Sequence, residues 1–212
     1  MKNSKRKAIH QYYAPRMRED AADHEILGWE SRKDHLERFE VIAELLPLEG
    51  SRILDVGCGL GNLLEFMKEQ SIVPARYVGV DLLDCMVKAA GERHPEGDFR
   101  CLDLFEDTDF ASQNRRQFDV IVASGIFNLY LGNNREFMIK ALCAFADLEP
   151  AYIIFNFLDS SLASEGPRYW TVSATEIEEI LEHIPGIAGK PVRMIRNRPA
   201  GDSAVRIALS GR

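Results

Sequence analysis

"RILDVGCGLGNLLEF", residues 52–66, is the stretch whose reading decides the fold. An apolar run turns through Gly57, Gly59 and Gly61 at alternate positions and continues as a helical pattern. Missing side chains let a backbone turn sharply and let a ligand approach it closely. The helix that follows offers unpaired N–H groups in its first turn. A dinucleotide fingerprint would put its third glycine one residue later, where Asn62 stands. A Walker loop would need Gly-Lys-Ser/Thr, and no lysine follows the turn. The ligand has to be identified from the rest of the chain.

Working outward from this stretch, apolar strand patterns fall at 52–56, 76–80, 98–102, 118–125 and 151–157, with helical patterns at 60–70, 84–93, 134–146 and 173–184. "FDVIVASG" and "AYIIFNF" are almost wholly apolar, as strands covered on both faces must be. Asp84 reads as an N-cap, and Ser173 with Glu176 reads as a capping box. Two closing strands, 190–196 and 204–209, flank the hairpin-like loop "NRPAGDS". Upstream, Leu36, Phe39, Ile42, Ala43 and Leu46 mark an amphipathic helix over 33–46. Strand–helix alternation predicts an α/β fold: a doubly wound, mostly parallel seven-stranded sheet with a C-terminal antiparallel strand and helices on both faces. An N-terminal helical lid completes it. One domain is expected over residues 1–212, with an arm and helical cap at 1–48 and the core at 49–212.

The composition narrows the class. Apolar residues make 46% and charged residues 28% of the 212, and no apolar run approaches the roughly 20 residues a bilayer span needs. The basic start, "MKNSKRKAIHQYY", has no apolar core of a secretory signal. Cys58, Cys85, Cys101 and Cys143 show no CxxC spacing, which argues against a zinc site and a disulfide framework and suits the cytoplasm. A net charge of −7 repels polyanions as a whole. Both ends are basic, however. Lys2, Lys5, Arg6, Lys7, Arg16 and Arg18 stand at one, and Lys190, Arg193, Arg196, Arg198, Arg206 and Arg212 at the other. If the ends met they would form a local basic patch.

"YVGVDLLDCM" ends its strand at Asp81, about twenty residues past the glycine turn. An acid there can accept hydrogen bonds from both hydroxyls of a ribose, so it points to an adenosine. With that signal, "ILDVGCGLGNL" resembles the first motif of the class I S-adenosylmethionine-dependent methyltransferases. The resemblance runs over most of residues 52–156. It implies S-adenosylmethionine as cofactor and S-adenosylhomocysteine as product. The methionine end would lie against Asp55, Gly57, Cys58 and Gly59, and the ribose on Asp81. The adenine would lie against Leu82, Asp103 and the Leu104 backbone, in "DFRCLDLFE". Ser124, in "VIVASGIFNLY", would line the methyl end. Asp98, Glu106, Asp107 and Asp109 read as solvated loop acids, and Met86 as core.

The acceptor side is less marked. Asn128 falls where many small-molecule methyltransferases carry a substrate-facing residue. The same stretch lacks the Asn/Asp-Pro-Pro-aromatic run of base-amine enzymes, the Pro-Cys of cytosine C5 enzymes and the magnesium-binding Asp of catechol-type enzymes. No metal is therefore expected. "HEILGWESRKDHLERFEV" resembles a group of uncharacterised bacterial methyltransferases with a G-W-x-S pattern, distinguished by Trp29, Ser31, His35 and Arg38. Arg38 has two candidate partners, a cofactor carboxylate and Asp34. His24 and His35 are candidate bases, Tyr12 and Tyr13 candidate covers. The polar segment 156–170 follows a strand end, so Tyr169 and Trp170 join Trp29 as candidate acceptor walls. No residue declares itself a catalytic base. The expected activity is methyl transfer to a small molecule, with no membrane partner and a nucleic-acid partner disfavoured. The alternatives are an RNA or protein methyltransferase using the basic ends, and a nicotinamide-dependent oxidoreductase.

Overall fold

A computed structural model describes residues 3–18, 20–161, 168–196 and 201–210. Its strands are β1 (Arg52–Val56), β2 (Arg76–Asp81), β3 (Asp98–Cys101), β4 (Val120–Ala123), β5 (Tyr152–Asp159), β6 (Thr171–Val172), β7 (Val192–Ile195) and β8 (Asp202–Ala208). They form one sheet in the order β3-β2-β1-β4-β5-β8-β7. β1, β2, β3, β4 and β5 pair in parallel, and β8 enters antiparallel between β5 and β7. The chain winds from β1 out to β3, then returns to lay β4 on the other side of β1. A crevice at such a reversal is where doubly wound sheets bind ligands.

The helices are α1 (Asn3–Tyr13), α2 (Asp23–Leu27), α3 (Arg32–Leu45), α4 (Asn62–Glu69), α5 (Asp84–Arg93), α6 (Thr108–Gln113), α7 (Asn134–Asp147) and α8 (Ala174–Glu182). Successive strand residues point to opposite faces, and the core divides accordingly. Ile53, Val120, Val122 and Ile154 cluster with Phe39 and Ile42 of α3 and Leu63 and Phe66 of α4. Leu54, Ile121, Ile153 and Phe155 cluster with Phe137 and Phe145 of α7 and Ile177 and Leu181 of α8. A third cluster ties α2 to the glycine turn and α5 through Ile26, Leu60, Leu83 and Met86. Among the described residues no helix is long and apolar enough to cross a membrane.

Three local expectations change. Among the described residues the sheet has eight strands, because Thr171 and Val172 add a short parallel strand beside Leu158 and Asp159 of β5. Asp84 is the first helical residue of α5, not its cap; Leu83 occupies the cap, and Asp84 pairs with Lys88 one turn on. Asp107 is no solvated loop acid: its side chain accepts the Phe110 N–H and starts α6. The Ser173–Glu176 capping box is present at the head of α8. Four residues of the closing loop, 197–200, lie outside the described residues.

Candidate functional site

Beyond the carboxyl ends of the parallel strands lies a cleft. Asp55, Gly57, Cys58, Gly59, Asp81, Leu82, Asp103, Leu104 and Ser124 all line it, as does Trp29. Four separate strand ends therefore deliver the candidate cofactor residues to one space.

The glycine turn requires its glycines. Gly57, Gly59 and Gly61 have φ of 75°, 53° and 81°, a region other residues enter at a cost. A Cβ on Gly57 would stand 2.4 Å from Ile126 Cγ2, and one on Gly59 3.0 Å from Leu27 Cδ2. Ile126 and Leu27 are themselves cleft walls, so the missing side chains keep the cradle open. The turn is fixed to β2 through Asp81. One carboxylate oxygen accepts the Gly59 N–H at 3.0 Å and the other the Leu83 N–H at 3.0 Å. Each oxygen keeps acceptor capacity beyond that one bond, which suits a ribose diol. Asp103 accepts the Phe105 N–H at 3.1 Å, which shapes the turn after β3.

The Asp55 carboxyl is strongly perturbed. Burial pushes its carboxyl up to about 7, against the hydrogen bond that Tyr77 donates at 2.5 Å. Burial raises Asp81 too, opposed by the N–H groups of Leu83 and Gly59. A cationic ligand in this cleft would meet groups ready to ionise beside it.

The N-terminal segment forms the far wall. Ile9 and Tyr13 of α1, Leu27 of α2, and His35 and Phe39 of α3 line the cleft together with Phe137 of α7. Tyr12 instead donates or accepts a 3.2 Å hydrogen bond with the Tyr169 hydroxyl, and Lys5 Nζ donates to the Asn133 carbonyl at 2.7 Å. The sequence reading missed Ile9 and Phe137. Ile9 stands four residues before Tyr13, a one-face helical spacing that was there to be read. His24 does not line the cleft, whereas Met86 is both core and cleft wall.

Three acceptor-side expectations are not met by position. Asn128 is buried with its carbonyl bonded to the Trp170 N–H at 2.8 Å, and it does not line the cleft. Trp170 packs on the larger core cluster, where its indole has apolar neighbours. Tyr169 pairs across with Leu129 and reaches α1 instead of the cleft. Residues 162–167 of that segment lie outside the described residues. Arg38 meets Asp34 through the backbone carbonyl and not through the carboxylate. It is ion-paired with Asp202 of β8, donates to the Asp34 carbonyl at 2.8 Å and stacks 3.6 Å over the Trp29 ring. The Asp34 side chain is held by Ser31 at 2.7 Å.

Several basic residues of the two ends have internal partners. Besides Lys5, Arg16 donates to the Tyr12 carbonyl, Arg193 to the Glu44 carbonyl and Arg206 to the Leu45 carbonyl, and Arg196 pairs with Asp159.

Comparison with known proteins bears on the fold. Residues 54–145 match a family model described as a methyltransferase domain. The chain is 27% identical over 180 residues to phthiotriol/phenolphthiotriol dimycocerosates methyltransferase 1 of Mycobacterium ulcerans, covering 84% of this chain and 57% of that protein. It is 29% identical over 142 residues to a ubiquinone biosynthesis O-methyltransferase of Idiomarina loihiensis, covering 65% of this chain and 53% of that one. It thus spans somewhat over half the length of these relatives. Among solved structures, magnesium protoporphyrin IX methyltransferase of Synechocystis, crystallised with S-adenosylmethionine, superposes with a TM-score of 0.70 at 17% identity, covering 97% of each chain. Residues 54–145 thus match a methyltransferase domain, and the fold of the chain is the one that solved S-adenosylmethionine-dependent methyltransferases share.

Proposed function

We propose that the protein transfers the methyl group of S-adenosylmethionine to a small-molecule acceptor held in the apolar end of the cleft. One observation carries this reading: the glycine cradle and the acids after β1, β2 and β3 line the same cleft as an apolar wall built by α1, α3 and α7. Gly57, Gly59 and Asp55 hold the methionine end, Asp81 the ribose, and Leu82, Asp103 and Leu104 the adenine. Ser124 sits toward the reacting methyl. The bound sulfonium supplies an already activated methyl group. What remains for the protein is to hold the acceptor in line and keep water out. The relatives, named as a phthiotriol/phenolphthiotriol dimycocerosates methyltransferase and a ubiquinone biosynthesis O-methyltransferase, support a small acceptor. So do the internal partners of the basic ends, which leave less charge for a polyanion. Four free cysteines suit a reducing cytoplasm.

Titration calorimetry with S-adenosylhomocysteine tests the assignment. Charge-assisted hydrogen bonds are worth about 1.5–3 kcal/mol each. Asp81→Ala is therefore expected to weaken binding at least about tenfold. Unchanged affinity in a folded Asp81→Ala protein rejects the ribose role.

A further inference from the structure

The methyl-transfer reading leaves the acceptor's chemistry open, and the wall facing the cradle narrows it. His35 is 5% exposed yet lines the cleft. Its ring lies between Trp29, stacked at 5.8 Å and 24°, and Phe39 at 5.1 Å. Among the described residues nothing hydrogen-bonds its ring nitrogens, and they are not among the buried polar atoms sealed without a partner. A buried imidazole with open nitrogens is a polar handle in an otherwise apolar wall. Burial, with Arg38 adding to it, pushes His35 down to about 3, so the ring is uncharged at physiological pH.

Arg38, Arg32 and Asp23 act on His35 from outside the cleft, whereas the charges of the cleft lining itself are one-sided. Among the described residues the cleft lining holds the carboxyl groups Asp55, Asp81 and Asp103 and no lysine or arginine. Arg38 stacks on Trp29 and is committed to Asp202. A carboxylate or phosphate acceptor would be desolvated beside acids with no cationic side chain of the described lining to compensate it. Trp29, Phe105, Ile126, Leu129, Leu131 and Phe137 offer apolar and aromatic surface. That surface suits a flat ring, and one neutral hydroxyl on that ring would satisfy the imidazole.

We propose that His35 is the recognition residue for the methyl acceptor, accepting a hydrogen bond from its hydroxyl, and that the acceptor is an uncharged, ring-bearing hydroxyl compound of the phenol class. The inference rests on the methyl-transfer reading but is tested apart from it. Phenol, toluene and benzoate serve as probes, titrated into wild type and His35→Phe with and without S-adenosylhomocysteine, by ligand-observed NMR. Phenylalanine keeps the ring packing and removes the nitrogens, and thermal unfolding confirms the fold. Wild type is expected to bind phenol and exclude benzoate. His35→Phe should lose about fivefold in phenol affinity, the worth of one neutral hydrogen bond, with toluene affinity held or raised. Parallel changes for phenol and toluene, or benzoate binding as tightly as phenol, overturn the proposal. Failure of S-adenosylhomocysteine to bind would reject the methyl-transfer reading instead, and the probe series without it would still decide the role of His35.

Discussion

At the scale of single residues, the cleft contains groups whose cost is measurable. Asp55 has a folded value near 7 and an unfolded one near 3.9. Between those values only the folded state holds the proton, so this residue makes stability fall as pH rises from about 4 to 7. Above pH 7 the penalty is complete, on the order of 2–4 kcal/mol. His35 acts oppositely, since its folded value near 3 lies below its unfolded one, and it favours the folded state increasingly as pH rises to about 6.5. The Asp55 contribution is isolated by difference. Asp55→Asn keeps an acceptor for Tyr77 and cannot ionise. Its advantage over wild type without cofactor should grow from pH 4.5 to pH 8, as urea unfolding at the two values would show; a constant gap contradicts it. Gly57→Ala should cost about 1–3 kcal/mol, since it adds both positive-φ strain and the Ile126 clash. A melting curve reads that loss. These glycines and acids were legible because their chemistry sits in consecutive residues. Asn128 was not, because which way a turn residue points depends on the Trp170 backbone that bonds it.

At the scale of elements, α1 shows what periodicity alone leaves out. An isolated helix of about a dozen residues is marginal in water, and "NSKRKAIHQYY" is mostly polar. It is held by what it touches: Lys5 on Asn133, Tyr12 on Tyr169, and Ile9 and Tyr13 against the cleft. The strands β1, β2 and β5 were legible from apolar runs, whereas α1 and the short α6 depend on tertiary contacts and a capping acid. A wall that a ligand completes should be steadied by it. S-adenosylhomocysteine is therefore expected to slow tryptic cleavage after Lys5, Lys7, Arg16 and Arg18, as mass spectrometry of the fragments would read out. Equal cleavage rates with and without it would argue that α1 does not respond to the cofactor.

At the scale of the whole molecule, one buried network joins the N-terminal helices, the last strand and the cleft. Arg38 pairs with Asp202, and the same Asp202 oxygen accepts from Asn156 at 2.6 Å. Asn156 in turn accepts the Gly125 N–H at 2.6 Å, beside the edge of Trp29. No sequence pattern announces a pair 164 residues apart, because only the insertion of β8 next to β5 brings Asp202 beneath α3. Burial pushes Asp202 up to about 6, and Arg38, with the Asn156 hydrogen bond, opposes that rise. Removing one partner of a buried pair typically costs about 3–5 kcal/mol, because the other is left uncompensated. For Arg38→Met the cost should depend on pH in a known direction. Without the guanidinium the Asp202 carboxyl rises further, so the folded state holds a proton that the unfolded state has released. Stability then falls as pH climbs. The penalty relative to wild type should be smaller at pH 5 than at pH 8. Adding Asp202→Asn, which still accepts from Asn156 but carries no charge, should remove that pH dependence and recover part of the loss. Denaturant unfolding of wild type, Arg38→Met and the double variant at both pH values reads all of this. A penalty identical at pH 5 and pH 8 would mean that Arg38 holds the fold by packing on Trp29 and not by compensating Asp202.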